Sequence, residues 1–185
     1  SVVIVGEAPG REEEALGKPF VGRSGSLLTE FYSNAGFNES DLYITNACGC
    51  FPATSKNPKK AQIDACRPRL LAELQAVKPK LVIALGNAAL YAMLPNVVSS
   101  PDGILSLHGK VFSSPEGFQV IPIPHPAAIL RNNSLFPLAV SDWRRAYSIF
   151  SGNDAVLKST DVTVLNDLDQ VRDFFQRILP TVSGY

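Results

Sequence analysis

Residues 2–10 read Val2-Val3-Ile4-Val5-Gly6-Glu7-Ala8-Pro9-Gly10, in which four apolar residues run directly into a turn rich in glycine and proline. An apolar run without polar alternation is typical of a parallel strand that helices cover on both faces. Glycine and proline end such a strand abruptly and expose backbone N–H groups. Because open α/β sheets bind ligands beyond the carboxyl ends of their strands, this turn is a candidate ligand cradle. An ordinary turn is the alternative.

Further apolar runs predict three more strands, at residues 42–45, 81–85 and 120–123. Helical patterns lie between and after these strands, at residues 26–32, 63–77, 87–94 and 141–148. Strands that alternate with helices favour a parallel sheet with helices on both faces. We therefore predict an α/β fold, a three-layer α/β/α sandwich with a central four-stranded parallel sheet.

The pattern changes near residue 152, which divides the chain into two predicted parts. Residues 1–152 form the α/β domain. In residues 153–185, a strand is predicted at 162–165 and a helix at 168–179, which Pro180 ends. A strand and a helix alone bury too little apolar surface to fold independently. This segment is therefore expected to be a linker with the start of a following domain, or a C-terminal appendage.

Composition narrows the classes of partner. The 185 residues carry 17 Lys and Arg against 17 Asp and Glu, so the formal net charge is zero. A neutral chain lacks strong overall attraction to nucleic acid and leaves that role to local basic patches. No apolar run approaches the ~20 residues that span a bilayer, so no membrane partner and a cytoplasmic location are expected. Three cysteines, an odd number, argue against a disulfide framework.

Polar residues follow each predicted strand, namely Glu7, Asn46, Asn87 and His125. The carboxyl ends of parallel strands share one edge of a sheet, so these residues are expected to line one cleft. Prolines flank His125 and fix its backbone, which favours a functional imidazole over loop filling. Asn46 has turn formation as its alternative.

An aromatic residue, Phe20, lies in the loop Pro19-Phe20-Val21 near this cleft. An aromatic ring on a rigid turn is suited to stacking on a flat ligand. Core filling is the equally supported alternative.

These segments together resemble the uracil-DNA glycosylase superfamily, in particular its family-four and family-five branches, over about residues 2–150. The resemblance rests on five ordered matches, at residues 6–13, 19–25, 44–46, 85–90 and 125–131. It implies an enzyme that flips a uracil out of DNA into a pocket and hydrolyses its N-glycosidic bond.

The resemblance implies a uracil-binding pocket made by Gly6, Ala8, Phe20, Asn46 and His125. Phe20 would stack on the base. The Asn46 amide would donate to O4 and accept from N3–H, a pattern that cytosine reverses. His125 would donate to O2 as negative charge develops on the departing base.

The residue that handles the attacking water is less well matched. Very active members of the superfamily carry Asp or Asn at the third position of the first motif, where this chain has Ala8. Related branches rely on carboxylates that match Glu7 or Glu13. The catalytic candidates are therefore Glu7, Glu13 and His125, and slow catalysis is expected.

Cysteines are the second departure from the family. Cys50 and Cys66 match two ligands of the four-iron cluster of family-four enzymes, whose other two ligands lie upstream of the first strand. A four-iron cluster usually takes four thiolates, and Cys48 adds only a third. We expect no cofactor within this chain, and a cluster only if upstream cysteines exist. Zinc on these three cysteines is a weaker alternative, and reduced thiols are the other.

The expected partner is DNA that contains uracil, single- or double-stranded. Candidate contacts to the backbone are polar or basic, and comprise Arg23, Ser24, Lys56, Lys59, Lys60 and Arg131. Residues 127–131 match a minor-groove loop of the family, in which Ile129 or Leu130 would fill the space that the base leaves.

Residues 160–179 resemble the lead-in to the 3′–5′ exonuclease domain of polymerase-A-type DNA polymerases. The alternative function is therefore a catalytically poor, DNA-binding module of a larger replication protein, a viral DNA polymerase, with covalently linked replication domains. A nucleotide-binding domain unrelated to DNA is a third reading, but the chain has neither GxGxxG nor a Walker sequence.

Overall fold

The computed structural model describes residues 1–52, 57–97 and 103–153, all within one compact unit that spans Ser1–Asp154. A single sheet runs through this unit. Its strands are β1 (Val2–Gly6), β2 (Leu42–Asn46), β3 (Leu81–Leu85), β4 (Phe112–Ser113) and β5 (Gln119–Ile123). The strand order is β2-β1-β3-β5-β4. The predicted elements at 162–165 and 168–179 lie outside the described residues, so the division of the chain at residue 152 stays a prediction.

All four predicted strands are present, and the pairs they form with one another are parallel. The sheet nevertheless has five strands instead of four, because β4 pairs antiparallel with β5. This strand has only two residues, too few to give an alternating pattern in the sequence.

Seven α-helices surround the sheet. They are α1 (Arg11–Leu16), α2 (Arg23–Ala35), α3 (Lys60–Val77), α4 (Gly86–Met93), α5 (Ile104–Leu107), α6 (Pro126–Arg131) and α7 (Phe136–Ser151), among the described residues. The predicted helices at 26–32, 63–77, 87–94 and 141–148 each overlap one of them, and α2 ends before Gly36, its predicted stop, which is in the left-handed conformation. Residues 127–131, expected as a loop, belong to helix α6.

Alternating side chains of β1 pack into both layers. Val3 and Val5 lie in an apolar cluster with residues of α3 and α4, whereas Val2 and Ile4 lie in a second cluster with residues of α2 and α7. All of β1 is buried, as its unbroken apolar run predicts. The three-layer α/β/α sandwich is thereby confirmed for the described part of the chain. In that part, no helix combines the length and apolar character that crossing a membrane requires.

A part-buried hydrogen bond between His108 and Asp142 links α7 to the segment that follows α5. The Asp142 carboxylate, 4% exposed, lies 2.8 Å from His108 Nδ1. Gly109 makes this contact possible, since a Cβ at that position would lie 2.4 Å from Asp142 Oδ1. Burial raises the pKa of Asp142, and the neighbouring His108 and Arg145 oppose that shift.

We expect Asp142→Ala to lower the free energy of unfolding by about 1–3 kcal/mol, because it leaves the His108 imidazole without its partner. Chemical denaturation followed by circular dichroism measures the change. Ser141→Ala, at the exposed neighbouring position of the same helix, is the matched control and should change stability by less than about 0.5 kcal/mol. Equal stability of both variants would show that the pair does not fasten α7.

Candidate active site

A cleft of about 500 Å³ opens at the edge of the sheet where β1, β2 and β5 end. Its lining includes seven of the predicted site residues, namely Ala8, Glu13, Phe20, Arg23, Ser24, Asn46 and His125. The other four lining residues, Gly10, Arg11, Glu12 and Gly22, lie within the matched stretches 6–13 and 19–25 but were not named there as site residues. Gly10 and Gly22 are the cap residues before α1 and α2, and Arg11 and Glu12 begin α1.

The Phe20 ring forms one wall of the cleft, and its backbone is strained. Phe20 has a φ of 55°, a conformation that residues with a side chain rarely adopt. Gly25 permits this conformation, because a Cβ there would lie 1.7 Å from the Phe20 carbonyl oxygen. The Phe20 and His125 rings lie 5.8 Å apart between centroids, with 26° between their planes. Two loops distant in sequence therefore present their rings side by side.

Asn46, the last residue of β2, lies beside Gly6, the last residue of β1. Its side chain is almost fully enclosed, with 8% of the residue exposed. A Cβ on Gly6 would lie 2.3 Å from Asn46 Oδ1 and 2.7 Å from Phe20 Cζ. The Asn46 amide and the Phe20 ring can thus both approach β1 only because Gly6 has no side chain.

His125 caps the N-terminus of α6, with Pro126 at the first helical position. Its Nδ1 accepts a hydrogen bond from the backbone N–H of Ala127 at 3.1 Å. In the neutral ring the proton therefore resides on Nε2, which is a donor. Gly86 gives the ring room, since a Cβ there would lie 3.0 Å from His125 Cβ.

Burial keeps the His125 ring neutral. Burial and, to a smaller extent, the positive charge of Arg131 together lower the pKa of His125 from 6.5 to about 4. The unfolded chain therefore binds more protons between pH 4 and 6.5. The stability that the neutral ring contributes is present above pH 6.5 and is lost as the pH falls toward 4.

The two candidate carboxylates occupy different surroundings. Glu13 lines the cleft, but its Oε2 accepts a hydrogen bond from the backbone N–H of Gly10 and caps α1. Glu7 is half-buried and interacts electrostatically with Arg131. Burial raises the pKa of Glu7, and the Arg131 charge opposes the shift. Glu13 lines the cleft, whereas Glu7 is not part of its lining.

The predicted DNA contacts are placed unevenly. Arg23 and Ser24 line the cleft at the start of α2. Lys60 instead pairs with Asp64 at 3.5 Å and lies over the Tyr91 ring, while Lys59 is the exposed cap residue of α3. Lys56 lies outside the described residues.

Ile129 and Leu130, the two candidates for filling the space of a flipped base, are both on helix α6 but differ in exposure. Ile129 is 1% exposed and packs in the core, so it cannot enter DNA without unfolding the helix. Leu130 is 39% exposed. The prediction of an inserted side chain is therefore corrected for Ile129 and stays with Leu130.

Asn87 was expected in the cleft, but its side chain instead makes a hydrogen bond to the first residue of α5. Its Oδ1 accepts a hydrogen bond from the backbone N–H of Ile104 at 2.8 Å. This contact explains an asparagine after β3 without any role in ligand binding.

The three cysteines are free and differently placed. Cys48 is buried, Cys66 is half-buried and Cys50 is exposed. Burial, with the neighbouring thiol of Cys66, raises the pKa of Cys48 to about 11. Within residues 1–52, 57–97 and 103–153, no three metal-ligating side chains are grouped. The described residues by themselves therefore do not fit a four-iron cluster, which usually takes four thiolates.

A network behind Asn46 was not predicted. Arg69 and Glu73, one turn apart on α3, form an ion pair that also engages Thr45 of β2. The spacing of four residues between opposite charges was the available sequence signal. Its contact with β2 could not be read from the sequence.

The chain matches the family model of the uracil DNA glycosylase superfamily over residues 1–147. It is 37% identical to a type-4 uracil-DNA glycosylase of Thermotoga maritima over 149 residues, which cover 80% of this chain and 76% of the relative. It is 35% identical to that of Archaeoglobus fulgidus, over 78% of this chain and 74% of the relative. A DNA polymerase of Bacillus phage SP01 is 23% identical over 82% of this chain but 16% of its own length.

We expect His125 to titrate with a midpoint near pH 4 and to carry its neutral proton on Nε2, because of its burial and its cap to Ala127. Nitrogen-detected NMR over pH 3–8 measures both properties. The chain has two histidines, so His125→Gln assigns the resonances. A midpoint near 6.5, or a proton on Nδ1, would contradict the buried cap.

Proposed function

The chain belongs to the uracil DNA glycosylase superfamily, and we propose that it excises uracil from DNA by hydrolysing the N-glycosidic bond. The observation that carries this proposal is the convergence of Phe20, Asn46 and the neutral His125 on one cleft. These three side chains supply a stacking surface, a base-reading amide and a donor for the leaving base. The substrate is DNA, single- or double-stranded.

The cleft suits a base that has left the double helix. A glycosylase cannot reach the glycosidic bond inside the stack, so it turns the nucleotide outward into a pocket. The Phe20 ring offers an aromatic face on which a flat pyrimidine stacks. Phe20 takes its unusual backbone conformation in the free chain, packed closely against Gly25, so the ring is in place before the substrate arrives. Little ordering is then needed on binding.

Asn46 distinguishes uracil from cytosine in this proposal. Its amide nitrogen donates to O4 of uracil, and its oxygen accepts from N3–H. Cytosine presents an amino donor and a bare N3 at those positions, so both contacts would fail. Because Asn46 is nearly enclosed, failed contacts would leave buried polar groups unpaired.

His125 stabilises the departing base. Negative charge collects on O2 of uracil as the bond to the sugar breaks, and a preorganised donor lowers the energy of that state. The Nε2–H of a neutral ring is such a donor, and the cap to Ala127 fixes its direction. The sugar meanwhile acquires positive charge, and water adds to it.

The site has few side chains that could hold the attacking water. Ala8 lines the cleft at the position from which a polar side chain would hold the water. Glu13 is the predicted catalytic carboxylate that lines the cleft, and one of its oxygens accepts a hydrogen bond from Gly10. We therefore assign the water to Glu13, place Glu7 as an electrostatic partner of Arg131, and expect slow turnover.

DNA would approach along the start of α2 and along α6. In this proposal Arg23 and Ser24 of α2 and Arg131 of α6 contact phosphates, and Leu130, exposed on α6, fills the space that the base leaves. Lys59 and Lys60 would add charge at the start of α3. No step is assigned to an iron–sulfur cluster, which Cys50 and Cys66 could hold only with further thiolates.

A second candidate function is a DNA-binding module of a replication protein with little catalysis. The similarity to a phage DNA polymerase along 152 residues favours it, as does Ala8. In that case the same cleft would bind uracil without cleaving the bond.

We expect the chain to release uracil from oligonucleotides, at a rate that His125→Ala lowers about 10²–10³-fold. Asn46→Asp, which cannot donate to O4, should lower it about 10- to 100-fold. Alkaline cleavage of the abasic product, run on single and double strands, measures the rates. Thr29→Ala, on the exposed face of α2, is the control and should match the parent chain. Binding to DNA without any cleavage would favour the replication module.

Ala8→Asn should raise the single-turnover rate at least about tenfold, since an amide at this position would hold the attacking water. The control is Ala8→Leu, which adds similar volume without hydrogen-bonding groups and should not raise the rate. A gain with both variants, or with neither, would mean that Ala8 does not limit the reaction.

A further inference from the structure

Strand β2 carries the base-reading residue but lies at the edge of the described sheet. Its inner side pairs with β1, where the backbone N–H of Ala47 donates to the Gly6 carbonyl at 2.9 Å. An edge strand has no neighbouring strand on its outer side to satisfy its carbonyl groups. The end of β2 would be free to shift outward unless another element holds it.

Arg69 of α3 takes that place. Its Nη2 donates to the backbone carbonyl of Asn46 at 2.5 Å and lies 3.4 Å from that of Ala47. This contact fixes the peptide group that follows Asn46. Because the side chain leaves the same Cα, the contact also restricts where the amide points.

A carboxylate and a hydroxyl hold the guanidinium in turn. Arg69 Nη1 donates to Glu73 Oε1 and to Thr45 Oγ1, the latter at 3.3 Å. Thr45 Oγ1 donates to Glu73 Oε2 at 2.8 Å, which closes a ring of three side chains. A planar fork with several donors can serve both Glu73 and the strand, which the point charge of lysine cannot do.

One nitrogen of the Arg69 guanidinium is in an unfavourable environment. Its Nε is buried and has no hydrogen-bond partner among the described residues. Gly49 lies against this nitrogen, since a Cβ there would be 3.2 Å away. A burial that leaves one donor unpaired is unfavourable, so the orientation is set by the bonds of the two terminal nitrogens.

We propose that Arg69 is a positioning residue for Asn46, and that it thereby strengthens selection of uracil over cytosine. The inference rests on the proposed excision of uracil for its effect on activity. The position of the Asn46 amide, however, can be tested without any substrate.

The first experiment is a double-mutant cycle on single-turnover excision of uracil. We expect Arg69→Met to lower the rate about tenfold in the parent chain, and by less than about twofold when Asn46 is already alanine. Arg69→Lys should recover part of the loss, since lysine reaches one acceptor. The matched control is Arg67→Met. Arg67 is on the same helix as Arg69, but it contacts Glu116 and the Ala92 carbonyl. Its effect should be the same in both backgrounds.

The second experiment observes the side-chain amide of Asn46 by NMR in the free protein, with Asn46→Ala as the assignment. Arg69→Met should shift these two proton resonances, and Arg67→Met should leave them in place. Unmoved resonances, or an equal loss of rate with and without Asn46, would overturn the proposal. If the parent chain excises no uracil, the proposed function fails, while the amide resonances still decide the role of Arg69. Should Arg69→Met not fold, Arg69→Lys carries both measurements.

Discussion

The recognition site depends on the absence of a side chain at Gly6. This residue ends β1, the strand between β2 and β3, and is paired with Asn46 in register. Any Cβ there would collide with the Asn46 amide and the Phe20 ring together. Gly25 and Gly86 allow similar close approaches to Phe20 and His125. Three glycines on three elements thus set the distances among the groups that would meet a base, so the site is built by backbone approach more than by side-chain choice.

Sequence patterns predict the strands that are buried on both faces, but they do not predict very short elements or single contacts between distant residues. Strand β1 is buried on both faces, so its apolar run has one interpretation. The two residues of β4 and the six of α6 are too short to show periodicity, and α6 starts at a proline that also suits a loop. Asn46 and His125 were predicted in one cleft because parallel strands share an edge. The bond from Arg69 to β2 joins residues 23 positions apart and follows only from how α3 packs.

The cleft contains suitable groups for recognising the base but few groups that could activate the attacking water. His125 is held neutral by burial and directed by its cap, so its donor needs no rearrangement during the reaction. Glu13 divides its carboxylate between α1 and the cleft, and Ala8 adds no polar group. A carboxylate made more basic by burial would help to activate a water, yet Glu7, whose pKa burial raises, is not part of the cleft lining. In the proposed reaction, activation of the attacking water would therefore limit the rate, whereas the departing base would be stabilised by His125.

The two polar groups that would read the base are anchored by different means, and the sheet order explains why. His125 follows β5, which has strand neighbours on both sides, and prolines restrict the backbone around it. Asn46 is the last residue of an edge strand of the described sheet and has no proline beside it, so its position needs support from outside the sheet. Arg69, braced by Glu73 and Thr45, is the group that supplies it. Loss of this support should loosen the reading of the base while leaving the donor to O2 in place, which separates selectivity from leaving-group stabilisation within one cleft.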